Sequence, residues 1–387
     1  MMKNEPTFDI TIVGTGIVGL ALAWQAAKRG LKVAMFERHP RAIGATVRNF
    51  GMIWPLGQPL QTFDRAMRSR ATWLELSKKA NFWAAESGAL CLAYHEDEMQ
   101  VLQEFFETRQ GSGYQIQLLS PAETLVKSQS VHPTGLKGAL WSATEVNVDP
   151  RQATQQIHVY LREKMGVQIF YNTAITQIDN PWLSSGNRSW QAEQIFVCSG
   201  ADFETLFPEV FAQSGITKCK LQMMRTQPQT AGWSLGPTLC GGLTLQHYGA
   251  FAHCESLKKL KKRFAKSLPD YTRWGIHVLV SQTAKGEVTI GDSHEYGLDV
   301  SPFDRDFINQ LILDYLETFA VLPNLHLAET WHGVYPKLKG STEFVQEVEP
   351  GVTIVNGLGG AGMTLAFGLA EEIFARDSRS VSAENYG

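Results

Sequence analysis

The chain opens with an apolar run, a glycine-rich turn, a helical stretch and a second apolar run, all within residues 8–37. The turn holds Gly14, Gly16 and Gly19 at the spacing GxGxxG, and the second apolar run ends in Glu37. This order of apolar and polar positions predicts a strand, a helix and a second strand. It is the context in which the glycine motif binds a dinucleotide.

Each position in this unit has a physical reason. Gly14 permits a tight turn, Gly16 lets the backbone approach a pyrophosphate, and Gly19 allows the helix to pack closely on the strand. The helix N-terminus offers free N–H groups to phosphates. Glu37 is placed to bind ribose hydroxyls and would repel a 2′-phosphate, which disfavours NADP. The motif alone leaves NAD and FAD open.

Further along the chain, apolar residues recur at helical spacing in some segments and form short runs in others. The pattern predicts helices at residues 62–81, 96–110, 151–165, 303–320 and 363–375, and a solvated basic helix at 258–266. It predicts strands at residues 82–94, 167–171, 194–198, 220–226, 275–281, 287–290 and 352–356.

Nucleotide-site architecture therefore stands at both ends of the chain, which favours one long cofactor, FAD, over NAD. We predict an α/β (α+β) fold with a Rossmann-like FAD-binding domain and an inserted, mainly antiparallel substrate domain. The discontinuous FAD-binding domain would comprise residues 1–80, 146–217 and 330–387, and the substrate domain residues 81–145 and 218–329.

The composition of the chain argues against several classes of function. The 387 residues carry a net charge of −3, which gives no footprint for nucleic acid. The five cysteines are scattered, without a CxxC pair, as is typical of reduced thiols in a cytoplasmic protein. We therefore predict no disulfide framework and no metal site. No apolar run is long enough for a membrane span.

Four blocks of the sequence resemble the D-amino-acid oxidase/glycine oxidase family of flavoproteins. They are residues 14–37, the GATVRNFG segment at 44–51, the VCSGAD turn at 197–202 and the NGLGGAGMT turn at 356–364. Asp149-Pro150 is similar to a further motif of the family. The blocks keep the family's order along nearly the whole chain, and the resemblance implies its fold and its FAD.

Carried over residue by residue, the resemblance implies a set of cofactor contacts drawn from these blocks. The set is Gly14, Gly16, Ile17, Val18, Gly19, Glu37, Arg38, Thr46, Arg48, Asn49, Gly51, Ser199, Gly200, Gly357, Gly359, Gly360, Ala361, Gly362, Met363 and Thr364. A glycine-rich loop at a helix N-terminus can also donate N–H groups to the flavin edge that gains negative charge on reduction.

The substrate end departs from the family. Amino-acid oxidases of this family bind the substrate carboxylate with an Arg before a Pro, and here that position is Tyr335. A tyrosine lacks the charge and the two-pronged donors of a guanidinium. The segments RNFGMIWP, KLQMMRT and GDSH resemble a subgroup associated with phosphonate breakdown. We predict Arg48, Arg225, His253, Tyr335 and Lys337 as substrate-binding residues.

The predicted reaction is hydride transfer from the α-carbon of a small amine, an aminophosphonate related to 2-aminoethylphosphonate, to flavin N5. The imine product would hydrolyse to an aldehyde. Electrons would pass to O2, giving hydrogen peroxide, or to another acceptor. No catalytic base is assigned, because a neutral amine needs little acid–base help. Two alternatives stay open: a glycine/sarcosine or D-amino-acid oxidase or dehydrogenase, and a flavin-binding subunit without independent oxidase activity.

Overall fold

The computed structural model describes residues 7–384, with side chains described as far as residue 376. The strands are β1 (Thr7–Val13), β2 (Val33–Phe36), β3 (Met52–Ile53), β4 (Ala84–Ala85), β5 (Ala89–Ala93), β6 (Ile116–Leu119), β7 (Gly138–Ser142), β8 (Val146–Val148), β9 (Gln168–Phe170), β10 (Gln177–Asp179), β11 (Trp182–Ser185), β12 (Arg188–Val197), β13 (Ile216–Thr226), β14 (Thr238–Cys240), β15 (Leu279–Gln282), β16 (Val288–Gly291), β17 (Glu295–Gly297), β18 (Leu327–Leu338), β19 (Phe344–Glu349) and β20 (Val352–Asn356). The α-helices are α1 (Ile17–Lys28), α2 (Leu60–Lys79), α3 (Glu96–Arg109), α4 (Pro121–Lys127), α5 (Pro150–Met165), α6 (Pro208–Ser214), α7 (Thr244–His247), α8 (Leu257–Ser267), α9 (Pro269–Arg273), α10 (Asp306–Glu317) and α11 (Gly362–Glu384).

The first sheet is built around parallel strands from both ends of the chain. Its order is β10-β11-β12-β1-β2-β9, with β20 paired to β12 and β19 paired to β20. Strands β12, β1, β2, β9 and β20 run parallel, and the outer strands β10, β11 and β19 run antiparallel. The parallel strands read as continuous apolar runs because helices or loops cover both of their faces.

Helices α1, α2, α5 and α11 form the layer beside this sheet. Helix α11 packs against both α1 and α2, and α1 packs against α5. The core between them holds Leu20, Trp73 and Phe367, each of them fully buried, with the rings of Trp73 and Phe367 edge to face. Helix α1, which follows the first glycine turn, thus lies beside α11, which follows the last one. The two glycine turns therefore lie close together.

The second sheet has nine strands in the order β17-β13-β16-β15-β14-β5-β7-β6, with β18 paired to β13. All neighbours are antiparallel except β5 and β14, which run parallel. The long pair β13–β18 places Cys219 opposite Tyr335. A small third sheet, β3-β8-β4, completes the strands of the described chain.

The predicted mixed α/β fold, with its Rossmann-like sheet and its mainly antiparallel second sheet, is confirmed. The domain limits stay a prediction. Among the elements, the helix predicted at 303–320 begins only at Asp306. Residues 303–305 stay outside the helix, where the Phe303 carbonyl accepts a hydrogen bond from Lys220 and the backbone N–H of Arg305 donates to Gln222.

Among the residues that the structure describes, no helix has the length and apolarity that crossing a bilayer requires.

Candidate active site

One large cavity runs between the two sheets and joins the predicted blocks. Its volume is about 500 Å³, and residues from the start, the middle and the end of the chain line it. The lining includes the loop after β1, the loop after β2, the loop after β12 and the turn before α11. These loops follow the carboxyl ends of parallel strands, where α/β folds bind their ligands.

The first glycine turn is too close to its neighbours to hold side chains. Gly14 has φ +102°, and a Cβ there would lie 2.2 Å from the carbonyl oxygen of Cys198. A Cβ on Gly19 would lie 2.1 Å from the carbonyl oxygen of Gly14. There is therefore room only for glycine at these two positions. The backbone of the turn is left without side chains there, as close approach to a pyrophosphate requires.

Glu37 is held in place beside that turn. The hydroxyl of Thr15 donates to its carboxylate at 2.7 Å, and the backbone N–H of His39 donates to the other carboxylate oxygen at 3.1 Å. Each oxygen retains acceptor capacity, since an ionised carboxylate has about four lone-pair sites. This geometry suits a ribose whose hydroxyls donate to Glu37.

The block at 44–51 supports the turn from the other side. Thr46 accepts a hydrogen bond from the backbone N–H of Ile17 at 2.9 Å, at the start of α1. Asn49 donates to the carbonyls of Ala45 and Thr46 at 3.1 and 2.9 Å and accepts from the N–H of Gly51. Thr46 and Asn49 therefore fix the loop that follows β2 against the N-terminus of α1.

The C-terminal turn closes the opposite side of the cavity. Gly359, Gly360 and Gly362 line it directly, and Gly362 begins α11. Two hydrogen bonds anchor the turn: the Trp73 indole N–H donates to the Met363 carbonyl at 2.7 Å, and the Trp54 N–H donates to the Thr364 hydroxyl at 2.9 Å. Gly362 and Met363 at this helix start line the cavity, and the first N–H groups of a helix have no partner within the helix.

Most of the predicted cofactor residues line this cavity. They are Gly14, Gly16, Ile17, Val18, Gly19, Glu37, Arg38, Thr46, Arg48, Asn49, Ser199, Gly200, Gly359, Gly360, Gly362, Met363 and Thr364. Gly51, Gly357 and Ala361 lie in the same loops without lining it. Gly51, for example, has φ +73° and packs against the Val148 carbonyl.

Of the predicted substrate residues, Arg48 and Tyr335 line the cavity. Lys337 lies behind the C-terminal turn, where a Cβ on Gly359 would be 3.2 Å from its ammonium nitrogen. Arg48 donates to the His332 carbonyl at 3.1 Å, which ties it to β18.

The structure does not bring Arg225 or His253 to the cavity, which corrects the prediction for both. Arg225 pairs with Glu329 and lies over the ring of Trp331. It stands beyond Met223, the last residue of β13 that lines the cavity. His253 interacts instead with Thr108 at 2.7 Å, on the side of α3.

Burial governs the ionisation of the substrate end. It raises the pKa of Tyr335 well above its ordinary value, so the phenol stays neutral and can donate a hydrogen bond. Burial also lowers the pKa of Lys337, whose side-chain nitrogen lies beside the glycine turn.

The sequence prediction missed a histidine cluster (His247, His277 and His294) that lines the cavity together with Asp292. Burial lowers the pKa of His294 to about 4, and burial and the neighbouring His294 lower the pKa of His277 well below the ordinary value. These two rings are therefore neutral near pH 7. The GDSH segment was the available signal, since it holds Asp292 and His294.

A family model described as FAD dependent oxidoreductase matches residues 9–376. The chain belongs to this family. The predicted relation to D-amino-acid oxidase-type flavoproteins is therefore confirmed, and so is the FAD cofactor. The finer assignment to a phosphonate subgroup stays a prediction.

Individual relatives are distant. The chain is 24% identical over 241 residues to a subunit of the opine oxidase of Agrobacterium tumefaciens, covering 58% of this chain and 64% of the relative. It is 26% identical over 211 residues to glycine oxidase of Geobacillus kaustophilus, covering 50% of this chain and 55% of the relative. The matched region thus spans less than two thirds of these curated relatives.

Solved structures share the whole fold. Glycine oxidase from Geobacillus kaustophilus superposes with a TM-score of 0.73 at 19% identity, covering 95% of this chain and 94% of that one. L-alpha-glycerophosphate oxidase from Mycoplasma pneumoniae, solved with FAD bound, gives a TM-score of 0.74 at 19% identity with the same coverage. At this identity the likeness describes the fold alone.

The cavity fits FAD on its own residues. The bare glycine turn after β1 and the start of α1 suit the pyrophosphate, and Glu37 suits the ribose. The N–H groups at Gly360 and Gly362 suit the polar edge of a flavin ring. One FAD molecule that extends from the first glycine turn to the last would therefore find suitable contacts at both ends.

Proposed function

We propose that this protein is an FAD-dependent amine oxidoreductase acting on a small amine with a tetrahedral anionic head group, an aminophosphonate related to 2-aminoethylphosphonate. One observation carries the proposal. Tyr335 lines the cavity together with Arg48 and the histidine cluster, and by the resemblance of its segment to the family it stands where amino-acid oxidases have an Arg. Position 335 therefore offers a neutral hydroxyl donor, separate from the Arg48 guanidinium.

The amine class is supported by the relatives whose names state their substrates, glycine oxidase and opine oxidase. Bound FAD supplies the hydride acceptor for oxidation of a carbon–nitrogen bond. The chain's own residues orient the amine and exclude water: Trp54, Leu221 and Met223 add apolar walls to the cavity. Such positioning accounts for a large part of the rate in reactions of this kind.

The head group is argued from donor geometry. A carboxylate is planar and matches a bidentate guanidinium, whereas a phosphonate presents three oxygens in different directions. The Arg48 guanidinium and the neutral Tyr335 phenol can each serve a different oxygen. With Arg48 as the charged member, this set favours a tetrahedral anion over a planar one.

Anaerobic bleaching of the flavin tests the proposal without assuming an electron acceptor. The purified, FAD-loaded protein is mixed with 2-aminoethylphosphonate, its N-methyl and 1-hydroxy derivatives, and with glycine, sarcosine and D-alanine. We expect the visible absorption band of the oxidised flavin to bleach faster with aminophosphonates. Bleaching by the amino acids alone would overturn the head-group assignment and keep the amine oxidoreductase.

A second candidate, a glycine/sarcosine or D-amino-acid oxidase or dehydrogenase, is favoured by the match to glycine oxidase. The same bleaching series separates it from the first. A third candidate is a flavin-binding subunit, favoured by the match to a protein named as one subunit of an opine oxidase. Turnover by the chain purified alone argues against it, and turnover that needs a co-purified partner supports it.

We further propose that the enzyme works in the cytoplasm and passes electrons to O2 or to another acceptor. The cysteines Cys91, Cys198, Cys219, Cys240 and Cys254 are all free and buried, which suits a reducing compartment. Peroxide release on aerobic turnover identifies O2 as the acceptor. Bleaching without peroxide release points to another acceptor.

A further inference from the structure

The histidine cluster gathers side chains from three separate segments in the cavity wall. His247 ends α7, His277 stands just before β15, and His294 lies between β16 and β17. Each offers a ring nitrogen, and these nitrogens all lie within 4.8 Å of one another. Asp292 adds a carboxylate, with one oxygen 3.1 Å from His277 Nε2.

The backbone holds this group of residues rigidly. His277 and Asp292 face each other across two hydrogen bonds, N–H to carbonyl in both directions, at 3.2 and 2.8 Å. The N–H of His294 donates to the Trp274 carbonyl at 2.8 Å. Two of the three imidazoles and the carboxylate therefore stand on one continuous framework, and His247 faces them from α7.

The backbone fixes which ring nitrogen of His294 is able to bind a ligand. The Nδ1 of His294 lies 3.0 Å from the Gly275 carbonyl, to which it can only donate, so its Nε2 carries a free lone pair. Metal-ligating histidines are oriented in this way, by a carbonyl at the other ring nitrogen.

His277 has a different and more telling arrangement. Its side chain is 3% exposed, its Nε2 lies 3.1 Å from an oxygen of the buried Asp292, and its Nδ1 has no hydrogen-bond partner. Buried polar atoms are normally paired, so the unpaired Nδ1 of His277 points to a ligand at this place.

We propose that His247, His277 and His294, together with Asp292, bind a divalent transition-metal ion in the wall of the active-site cavity. Three imidazoles and one carboxylate are the donor set that Zn²⁺ takes in four-coordinate sites. Zinc–nitrogen bonds of about 2.0–2.1 Å place ligand nitrogens about 3.3 Å apart. The ring nitrogens of the cluster, which lie within 4.8 Å of one another, would have to draw together to reach that spacing.

The ion has a chemical role at this place. It would add positive charge to the cavity wall, and it could accept an oxygen of the substrate's anionic head group. This role rests on the proposed function, whereas binding of the ion does not. The ion would then supply the charge that Tyr335 lacks.

Zinc titration of the FAD-loaded protein tests the site. The protein is treated with a chelator, dialysed and titrated with Zn²⁺ by calorimetry, and the metal content is measured per flavin. We expect one Zn²⁺ per flavin. His277→Ala, His294→Ala and Asp292→Asn should each weaken binding about 10-fold or more. His326→Ala, at an exposed histidine outside the cluster, is the matched control and should bind as the wild type does.

Each outcome of these experiments either supports or overturns the metal site. Absence of saturable Zn²⁺ binding to the wild type overturns the proposal, and so does unchanged binding by the His277→Ala, His294→Ala double variant. The flavin spectrum reports whether each variant is folded. Should a variant fail to fold, anomalous scattering at the zinc edge from crystals of the wild type decides the question: a peak between the three imidazoles supports the site, and its absence there overturns it.

The head-group role has its own readout. Binding of 2-aminoethylphosphonate, followed by the perturbation of the flavin spectrum, should be about 10-fold tighter with Zn²⁺ than without it. Equal affinity would overturn that role. If no aminophosphonate bleaches the flavin while Zn²⁺ still binds at one per flavin, the proposed substrate has failed and the metal site stands.

Discussion

At the scale of single residues, position 335 is where the proposed substrate class can be tested. Tyr335 is buried in the cavity wall, beside the C-terminal turn, where a Cβ on Gly360 would lie 3.6 Å from its hydroxyl. Tyr335→Arg introduces a planar, charged fork that matches a carboxylate. We expect the ratio of kcat/KM for amino acids to that for aminophosphonates to rise about 10-fold, as steady-state kinetics on both classes would measure.

Tyr335→Phe is the matched control for this change, because it removes the hydroxyl without adding charge. It should lower activity on both classes without favouring amino acids. An unchanged ratio in Tyr335→Arg, in a protein that keeps its flavin spectrum, would mean that the side chain does not meet the head group.

Lys337 is the residue where reactivity with O2 can be tested. Its ammonium lies against the glycine turn before α11, and burial lowers its pKa. A fixed positive charge stabilises the negative charge that develops on O2 as it accepts electrons. Lys337→Met should therefore slow reoxidation of the reduced protein by O2 about 10-fold, while anaerobic bleaching by substrate keeps its rate.

Stopped-flow mixing of reduced protein with O2 measures this effect. Lys339→Met, at an exposed lysine two residues further on, is the matched control and should reoxidise as the wild type does. Equal reoxidation rates in all three proteins would assign Lys337 a structural role. Lys220 is not an alternative, because it is already paired with Asp304 at 3.0 Å.

Sequence reasoning was most successful for residues inside contiguous motifs. Gly14, Gly19 and Gly360 could be placed in the cavity wall because each belongs to a contiguous glycine motif between a strand and a helix. Arg225 and His253 were chosen as single polar residues without such a context. Their side chains instead interact with Glu329 and Thr108, through tertiary contacts that no local pattern reveals.

At the scale of elements, an ion cluster fastens α11 to α2. The Arg65 side chain donates to Glu372 through two nitrogens, at 3.1 and 2.6 Å, and to Glu343 at 2.8 Å. Arg65 is only 11% exposed, so this pairing is stronger than that of an exposed pair. Glu372→Gln should lower the free energy of unfolding by about 1 kcal/mol, as measured by chemical denaturation.

The neighbouring Glu371 provides the control, because it pairs only loosely with Arg68, at 3.4 Å, and is 46% exposed. Glu371→Gln should change the free energy of unfolding by less than about 0.5 kcal/mol. Equal losses in the two variants would mean that general helix charge, and not the Arg65 cluster, stabilises this contact.

Most elements followed from apolar periodicity, and the exceptions have tertiary causes. The helix at Leu60–Lys79 lies within two residues of its prediction because its apolar stripe meets α11. The strand predicted at 275–281 begins only at Leu279. Residues before it bend around His294, close enough that a Cβ on Gly275 would lie 2.9 Å from the His294 Cβ.

At the scale of the whole molecule, acid stability depends on buried histidines such as His158. Its ring nitrogen lies 3.0 Å from the Thr15 carbonyl beneath the first glycine turn, and burial lowers its pKa below the ordinary 6.5. The unfolded chain therefore binds a proton that the folded protein does not. The stability contributed by this group is complete above pH 6.5 and is lost as the pH falls below that value.

His158→Gln keeps a donor for Thr15 and removes the titration. We expect the free energy of unfolding of this variant to decline less than that of the wild type between about pH 7 and pH 5. Urea denaturation at a series of pH values measures both declines. Parallel curves for the two proteins would show that His158 does not govern this range.

The histidine cluster marks the limit of prediction from sequence at this scale. His247, His277 and His294 are far apart in the chain and meet only because β15 pairs with β16 while α7 folds over them. No spacing rule joins residues from a helix end, a strand start and a loop. Antiparallel pairing across the second sheet had to be known first.

The contact between α1 and α11 has a consequence for how the protein is made. Synthesis completes the Gly14 turn and α1 early, yet α11 and its glycine turn come more than 300 residues later. Until then, the apolar faces of α1 and α2, with Leu20 and Trp73, lack their packing partner. Cofactor capture therefore belongs to the last stage of folding, and the growing chain needs protection from aggregation for most of its synthesis.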